Sequence, residues 1–197
     1  MLVIGLTGSI AMGKTSAAKR FIAQGIPVFD ADAQVHELYA GEAVAAIESA
    51  FPGVTQDGRI DRARLGEMLG KESGALARLE AIVHPLVRVR REEFLRDNAR
   101  AGVEMVVLEI PLLFESGSDK DVDVTIVVTA PEAVQRARLM EREGMNEARA
   151  AMLLANQMPD ADKRARADYV VDTNGPREET ATEIDNIIES LRGREQG

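Results

Sequence analysis

The 197-residue chain has no cysteine and no tryptophan, and only two histidines. The first absence excludes disulfides, thiolate metal sites and cysteine nucleophiles together, and it suits a reducing cytoplasm. Two histidines are too few for a histidine-rich metal centre. Aromatic residues make up 4% of the chain, leaving few platforms on which nucleic-acid bases stack. Bases are outnumbered: 24 Lys and Arg face 33 Asp and Glu, a net charge of −9, opposite in sign to a global nucleic-acid binder. No apolar run reaches the 18 residues of a membrane span, and no basic leader precedes the first apolar segment. Neither a membrane anchor nor a secretory signal is therefore expected. The expected partners are small molecules, and oligomeric state stays open, a monomer included. A phosphorylated ligand must be held by a local basic patch on an acidic protein.

Hydrophobic residues at 45% suit a sizeable core, and the length suits one large domain with an insertion or a small second domain. The most informative segment is Gly8-Ser9-Ile10-Ala11-Met12-Gly13-Lys14-Thr15, which fits the phosphate-binding pattern G-x-x-x-x-G-K-[ST]. Its four fixed positions arise by chance in about one chain of this length in a hundred. It follows the β-forming run 2–6 and precedes the helix-forming run 16–22, the strand–turn–helix order that phosphate binding needs. Gly8 and Gly13 let backbone N–H groups curl around phosphate oxygens. Lys14 reaches the β- and γ-phosphates, and the Thr15 hydroxyl ligates Mg²⁺. The competing reading, a βα turn with a chance lysine, lacks the support of that context.

Five candidate strands, residues 2–6, 27–30, 105–110, 124–129 and 169–172, are mostly continuous β-branched runs, the pattern of strands buried on both faces of a parallel sheet. Helical stretches separate them, predicting an α/β fold. The long gap from 31 to 104 reads as helices at 32–40, 41–51, 61–69, 74–83 and 85–98, with Pro85 opening the last and a break at His84. After the fourth strand, a helix through Arg136, Arg138 and Arg142 ends at Gly144, and Asn146 caps another that reaches Gln157. The division expected is a nucleotide-binding core (1–30, 105–130, 158–197), a helical acceptor domain (31–104) and an Arg-rich lid (131–157). Alternatively, Glu132, Glu141, Glu143 and Glu147 pair with the hairpin arginines and make it a solvated surface. The residues from about 193 read as a frayed tail.

A phosphate-binding loop admits a kinase, a switch or a motor. A GTPase needs an N-K-x-D element, which is absent, and the D-x-x-G match at 172–175 follows the fifth strand rather than the third. A helical insertion that selects an acceptor, with a hairpin that excludes water, suits a small-molecule kinase. Transfer to a hydroxyl needs a carboxylate. Asp30 and Asp32 stand at the carboxyl end of the second strand, where open α/β sheets bind ligands, and strand alternation points both the same way. The alternative is that Asp32 caps the helix beginning at Ala33.

From residue 2 to 175 the ordered motifs resemble the dephospho-coenzyme A kinase family. They are Gly5-Leu6-Thr7-Gly8 into the P-loop, Asp30-Ala31-Asp32, Ile60-Asp61-Arg62 with Leu65, and Val83-His84-Pro85-Leu86. Pro111-Leu112-Leu113-Phe114-Glu115, Gln135 with Arg138 and Arg142, Gln157-Met158-Pro159, Ala167-Asp168 and Asn174-Gly175 complete the set. The resemblance implies a P-loop NTPase fold: a five-stranded parallel sheet flanked by helices, with a helical substrate-binding insertion and a helical lid. It implies transfer of the ATP γ-phosphate to the ribose 3′-hydroxyl of dephospho-CoA, with Mg²⁺, in the last step of coenzyme A synthesis. Asp32 is then the base, and Lys14, Arg138 and Arg142 act on the transferring phosphate. Gly8, Ala11, Met12, Gly13, Lys14, Thr15 and Ser16 hold the triphosphate, with Thr15 on the metal, while Asn174 and Gly175 touch adenine. His84, Pro85, Leu112, Leu113 and Glu115 shape the acceptor pocket. The blander readings are a His84 that caps the helix after Pro85, a core-facing turn at 112–113 and a surface Glu115. His36 reads as a helix-surface residue.

Two positions depart from the family pattern. Ala11 stands where the family has Gly, and a left-handed alanine there costs of order 1 kcal/mol. Thr173 stands where Asn is common. The competing functions are another small-molecule or nucleoside monophosphate kinase, and an ATP-binding regulatory protein.

Overall fold

Continuous apolar runs form a parallel sheet when helices shield both faces, and five of the chain's strands do so here. A computed structural model describes residues 1–194. In chain order the elements are β1 (Leu2–Thr7), α1 (Lys14–Ala23), β2 (Val28–Asp30), α2 (Ala31–Leu38), α3 (Val44–Ala50), β3 (Thr55–Gln56), β4 (Arg59–Ile60), α4 (Arg62–Lys71) and α5 (Ala75–Arg100). Then follow β5 (Met105–Glu109), β6 (Val124–Thr129), α6 (Glu132–Met140), α7 (Glu147–Ala155), α8 (Asp160–Arg166), β7 (Tyr169–Asp172) and α9 (Arg177–Arg194). The sheet order is β2-β5-β1-β6-β7, so β1 is central. Parallel pairing sets Ile4 opposite Val107 and Val124, and Ile126 opposite Tyr169.

The chain divides into two compact units, residues 1–29 with 102–197, and residues 30–101. In the first, Ile4, Leu6, Ile126 and Val128 of the sheet pack with Ala17 and Phe21 of α1 and with Ile184, Ile188 and Leu191 of α9. Phe21 is fully buried, a side chain worth about 1.5–3 kcal/mol out of water. Arg20 grips Asp185 with both Nε (2.8 Å) and Nη2, and Gln24 adds a third bond, tying α1 to α9. The Arg20 guanidinium holds the Asp185 carboxyl below the usual range. That tie therefore contributes above the ordinary Asp range and is lost as pH falls through the lowered value. The frayed tail expected from about residue 193 is helical in α9 at 193 and 194, and the rest of that segment lies outside the described residues.

The second unit has its own core of Leu38, Ile47, Phe51, Val54, Ile60, Leu65, Leu79 and Val83. Two of its features differ from expectation. The antiparallel pair β3–β4 turns at Asp57 (φ 49°) and Gly58 (φ 75°), the left-handed Asp-Gly turn that hairpins favour. Second, α5 does not break at His84: one helix spans Ala75–Arg100 with Pro85 inside it. The reason is one-sided packing. Ala75, Leu79 and Val83 are buried and Leu86 and Val87 pack on the same core, while Ala81, His84 and Pro85 face solvent. The Ala81 carbonyl, deprived of its i+4 partner, is left on the wet side, and apolar burial on the other face holds the helix through the proline. Pro85→Ala is expected to stabilise the protein by about 2 kcal/mol, the helix-interior penalty less the unfolded-chain entropy regained. Thermal melts then show Tm rising by about 4–8 °C. A lower Tm contradicts this account.

Candidate active site

The β1–α1 loop is shaped by contacts that leave no room for side chains. A Cβ on Gly8 would lie 2.4 Å from Val128 Cγ2 and 2.6 Å from the Val128 carbonyl oxygen. Gly13, the N-cap of α1 at φ 86°, comes so close to Thr173 that a Cβ would sit 3.0 Å from its hydroxyl. Between the glycines, Met12 N–H donates to the Ser9 carbonyl at 3.1 Å, closing a four-residue turn. Ala11 has φ 63° whereas Ile10 is not left-handed, the signature of a type II turn, whose third position favours glycine. The departure at Ala11 is thus a left-handed alanine, held at a cost of about 1–2 kcal/mol. The N–H groups of Ala11, Gly13, Lys14 and Thr15 make no hydrogen bond among the described residues. With the positive end of α1 behind them, they form an anion-binding fan.

Met12 supports this fan rather than joining it. Its side chain is buried, its sulfur accepts from Ala130 N–H (3.0 Å) and its carbonyl accepts from the Thr173 hydroxyl (2.9 Å). Thr15 and Ser16 are exposed in the first turn of α1. Lys14 Nζ lies 3.8 Å from the carboxylate of Glu109, which is only 7% exposed at the carboxyl end of β5. Sequence reasoning missed Glu109, although an acid closing the otherwise apolar run Met105-Val106-Val107-Leu108 was a visible signal.

Beside the loop lies a cavity of about 520 Å³, lined by Gly13, Ser16, Arg138, Thr173, Gly175 and Arg177. Arg138 projects from α6 and donates from Nη1 to the Thr173 hydroxyl (3.0 Å) and from Nη2 to its carbonyl (2.6 Å). The buried Thr173 is therefore a junction between P-loop, sheet and hairpin, and the family's Asn is not needed to fill it. Asn174 and Gly175 are exposed beyond it. Arg142 lies past the end of α6, exposed and without an ionic or side-chain partner among the described residues, whereas Arg136 pairs with Glu147. Asn146 caps α7 as expected, accepting from Arg149 N–H at 2.9 Å.

Asp30 and Asp32 do not both lie on the strand. β2 ends at Asp30, which is the N-cap of α2 and accepts from Ala33 N–H at 3.0 Å. Asp32 sits in the first helical turn, exposed and unpartnered among the described residues, so capping is not its task. The alternation argument fails because the chain turns helical at Ala31. His84 and Pro85 are exposed side by side within α5, where His84 caps nothing. His36 is exposed, with Arg62 3.1 Å from its Nε2.

After β5, Leu112 is 41% exposed but Leu113 is fully buried, its Cδ2 3.0 Å from where a Gly5 Cβ would be. Leu113 is core, and the acceptor assignment is corrected for it. Glu115 is also committed to the fold. It accepts from Met158 N–H (2.8 Å) and lies 2.8 Å from Nζ of Lys163, a fully buried lysine that meets no hydrogen-bond acceptor at proper angles. Burial alone would raise the Glu115 pKa, but the Lys163 ammonium and the Met158 N–H outweigh it and hold the carboxyl low. Glu115→Ala strands a buried ammonium and is expected to cost about 3 kcal/mol. Calorimetry reads this as a fall in Tm of about 6–12 °C; an unchanged Tm contradicts it.

A parallel sheet whose central strand feeds an unpaired N–H fan, a lysine and a hydroxyl-bearing first helical turn defines a P-loop nucleotide-binding protein. A family model, dephospho-CoA kinase (CoaE), matches residues 2–179. The chain belongs to the dephospho-CoA kinase family. It is 50% identical over 190 residues to the dephospho-CoA kinase of Rhodopseudomonas palustris strain HaA2, covering 96% of each chain. Identity is also 50% over 194 residues to that of Mesorhizobium japonicum, with 98% of each covered. Among solved structures, a Thermus thermophilus protein matches with a TM-score of 0.80 at 30% identity, covering 98% of this chain and 97% of that one. The dephospho-CoA kinase of Campylobacter jejuni matches at 0.69 and 22% identity, over 96% of both, a likeness of fold.

Proposed function

We propose that this chain transfers the γ-phosphoryl group of ATP to the ribose 3′-hydroxyl of dephospho-CoA, the final step of coenzyme A synthesis, in the cytoplasm. The observation that carries the phosphotransfer is the fan of four unpaired N–H groups around Lys14. Kinship to curated dephospho-CoA kinases over nearly the whole chain supports the acceptor. In the reaction the 3′-oxygen attacks the γ-phosphorus, the bond from phosphorus to the bridging β–γ oxygen breaks, ADP leaves, and Asp32 takes the hydroxyl proton. Asp32 suits this because it is exposed and unspent on the fold.

Gly8, Ala11, Gly13, Lys14, Thr15 and Ser16 surround the triphosphate, with Met12 bracing the turn. Arg138 and Gly175 line the cavity beside the loop, which takes the nucleoside, and the exposed Asn174 precedes Gly175 in the chain. Arg142, a guanidinium without a partner among the described residues, is available to the transferring phosphate. Segment 131–157 is the lid, and the acceptor-side groups within residues 30–101 are Asp32, His84 and Pro85; Leu112, 41% exposed, is the acceptor-side group of the other unit. Magnesium fits the donors present: it takes few protein oxygens and keeps waters and substrate phosphates, which the Thr15 hydroxyl and the Glu109 carboxylate complement. Bound there, it neutralises phosphate charge. No cluster of three or more acidic or His side chains suited to a metal occurs among the described residues.

The test is an ADP-release assay with ATP and dephospho-CoA, with product identified by mass. Phosphorylation of dephospho-CoA is the expected result. Turnover of a nucleoside monophosphate with none of dephospho-CoA would overturn the acceptor.

A further inference from the structure

Two glutamines of the hairpin stems hold one residue of the P-loop between them. Gln135, on α6 and 6% exposed, donates from Nε2 to the Ile10 carbonyl at 2.9 Å. Gln157, just beyond α7, accepts from Ile10 N–H through Oε1 at 3.0 Å. Ile10 is the second residue of the turn 9–12, and its carbonyl belongs to the turn's central peptide, Ile10–Ala11. Type I and type II turns differ by a flip of that peptide. No peptide bond among the described residues is cis, so the Ile10 carbonyl and the Ala11 N–H point in opposite directions. Whatever holds the carbonyl therefore aims the N–H.

An alanine at the third turn position favours type I, with negative φ. The turn is nevertheless type II, with Ala11 at φ 63°. A flip would take the Ile10 carbonyl away from Gln135 and leave that buried amide without its acceptor. We infer that Gln135 and Gln157 are positioning residues that lock the Ile10–Ala11 peptide in its type II orientation, so that Ala11 N–H faces the triphosphate. The lid stems thereby share one hydrogen-bonded unit with the phosphate-binding loop, and a lid movement that breaks either bond frees the peptide to turn. The inference rests on the proposed role of the P-loop in ATP binding.

The test is calorimetric binding of ATP and of AMP, which lacks the β- and γ-phosphates. Proteins are wild type, Gln135→Met, Ala11→Gly and the double variant. Gln135→Met is expected to weaken ATP roughly tenfold, the size of one lost hydrogen bond, and AMP less than twofold. Glycine has no bias against φ above zero, so Ala11→Gly in the Gln135→Met background restores ATP binding to within about threefold of wild type. Gln157→Met carries the same prediction and serves if Gln135→Met does not fold. Unchanged ATP affinity in both variants, equal loss of ATP and AMP, or purely additive effects of Ala11→Gly overturns the lock. A wild-type protein that binds no ATP overturns the underlying reading instead.

Discussion

Asp32→Asn is expected to lower kcat by about 10²–10⁴, the usual contribution of a general base, while ATP affinity stays within about twofold. The amide keeps the size of the carboxylate but cannot take up the hydroxyl proton. What makes the substitution clean is its neighbour. Asp30, not Asp32, caps α2, and Asp32 is exposed with no partner among the described residues. The variant should therefore melt within about 2 °C of wild type, since uncoupled surface changes stay within about 0.5 kcal/mol. The reciprocal variant, Asp30→Ala, loses the cap and about 1 kcal/mol. Rapid-quench turnover with near-normal kcat in Asp32→Asn would remove Asp32 from the chemistry.

Lys14→Ala should damage binding and chemistry together. Loss of a charged donor to the β- and γ-phosphates is worth about 10–100-fold in ATP affinity. Stabilisation of charge developing during transfer adds about 10²–10³ in kcat. The structure adds a second consequence. Lys14 Nζ stands 3.8 Å from the buried carboxylate of Glu109, so removing it also takes a cation away from beside that anion. Equal ATP affinity in wild type and Lys14→Ala contradicts the phosphate role of this lysine.

The strands were legible because buried parallel strands are written as unbroken β-branched runs, and 124–129 and 169–172 match β6 and β7 to the residue. The P-loop was legible because its glycines answer to steric contacts that only glycine satisfies. Other features are decided in three dimensions. Pro85 reads locally as a helix start, but packing of Leu79, Val83, Leu86 and Val87 on one core carries the helix through it. Leu113 and Glu115 look like pocket residues in a linear motif, yet one fills the space beside Gly5 and the other neutralises Lys163. The sequence marks Ala11 as a departure from glycine but does not decide its φ, because the groups that hold it left-handed, Gln135 and Gln157, lie far along the chain.

The central position of β1 has a consequence for biosynthesis. Its neighbours in the sheet are β5 and β6, with Leu2 in register with Met105 and Ile4 with Val124. On the ribosome the first 29 residues emerge before any strand that flanks them, and residues 30–101, with a core of their own, follow before β5 appears. Vectorial synthesis thus gives the inserted unit a head start, while β1 and its glycine-rich loop wait for partners more than a hundred residues downstream. Such distant pairings are slow to close. A nascent chain halted before β5 leaves the apolar β1 strand without its sheet, the stage at which a chaperone has most to hold.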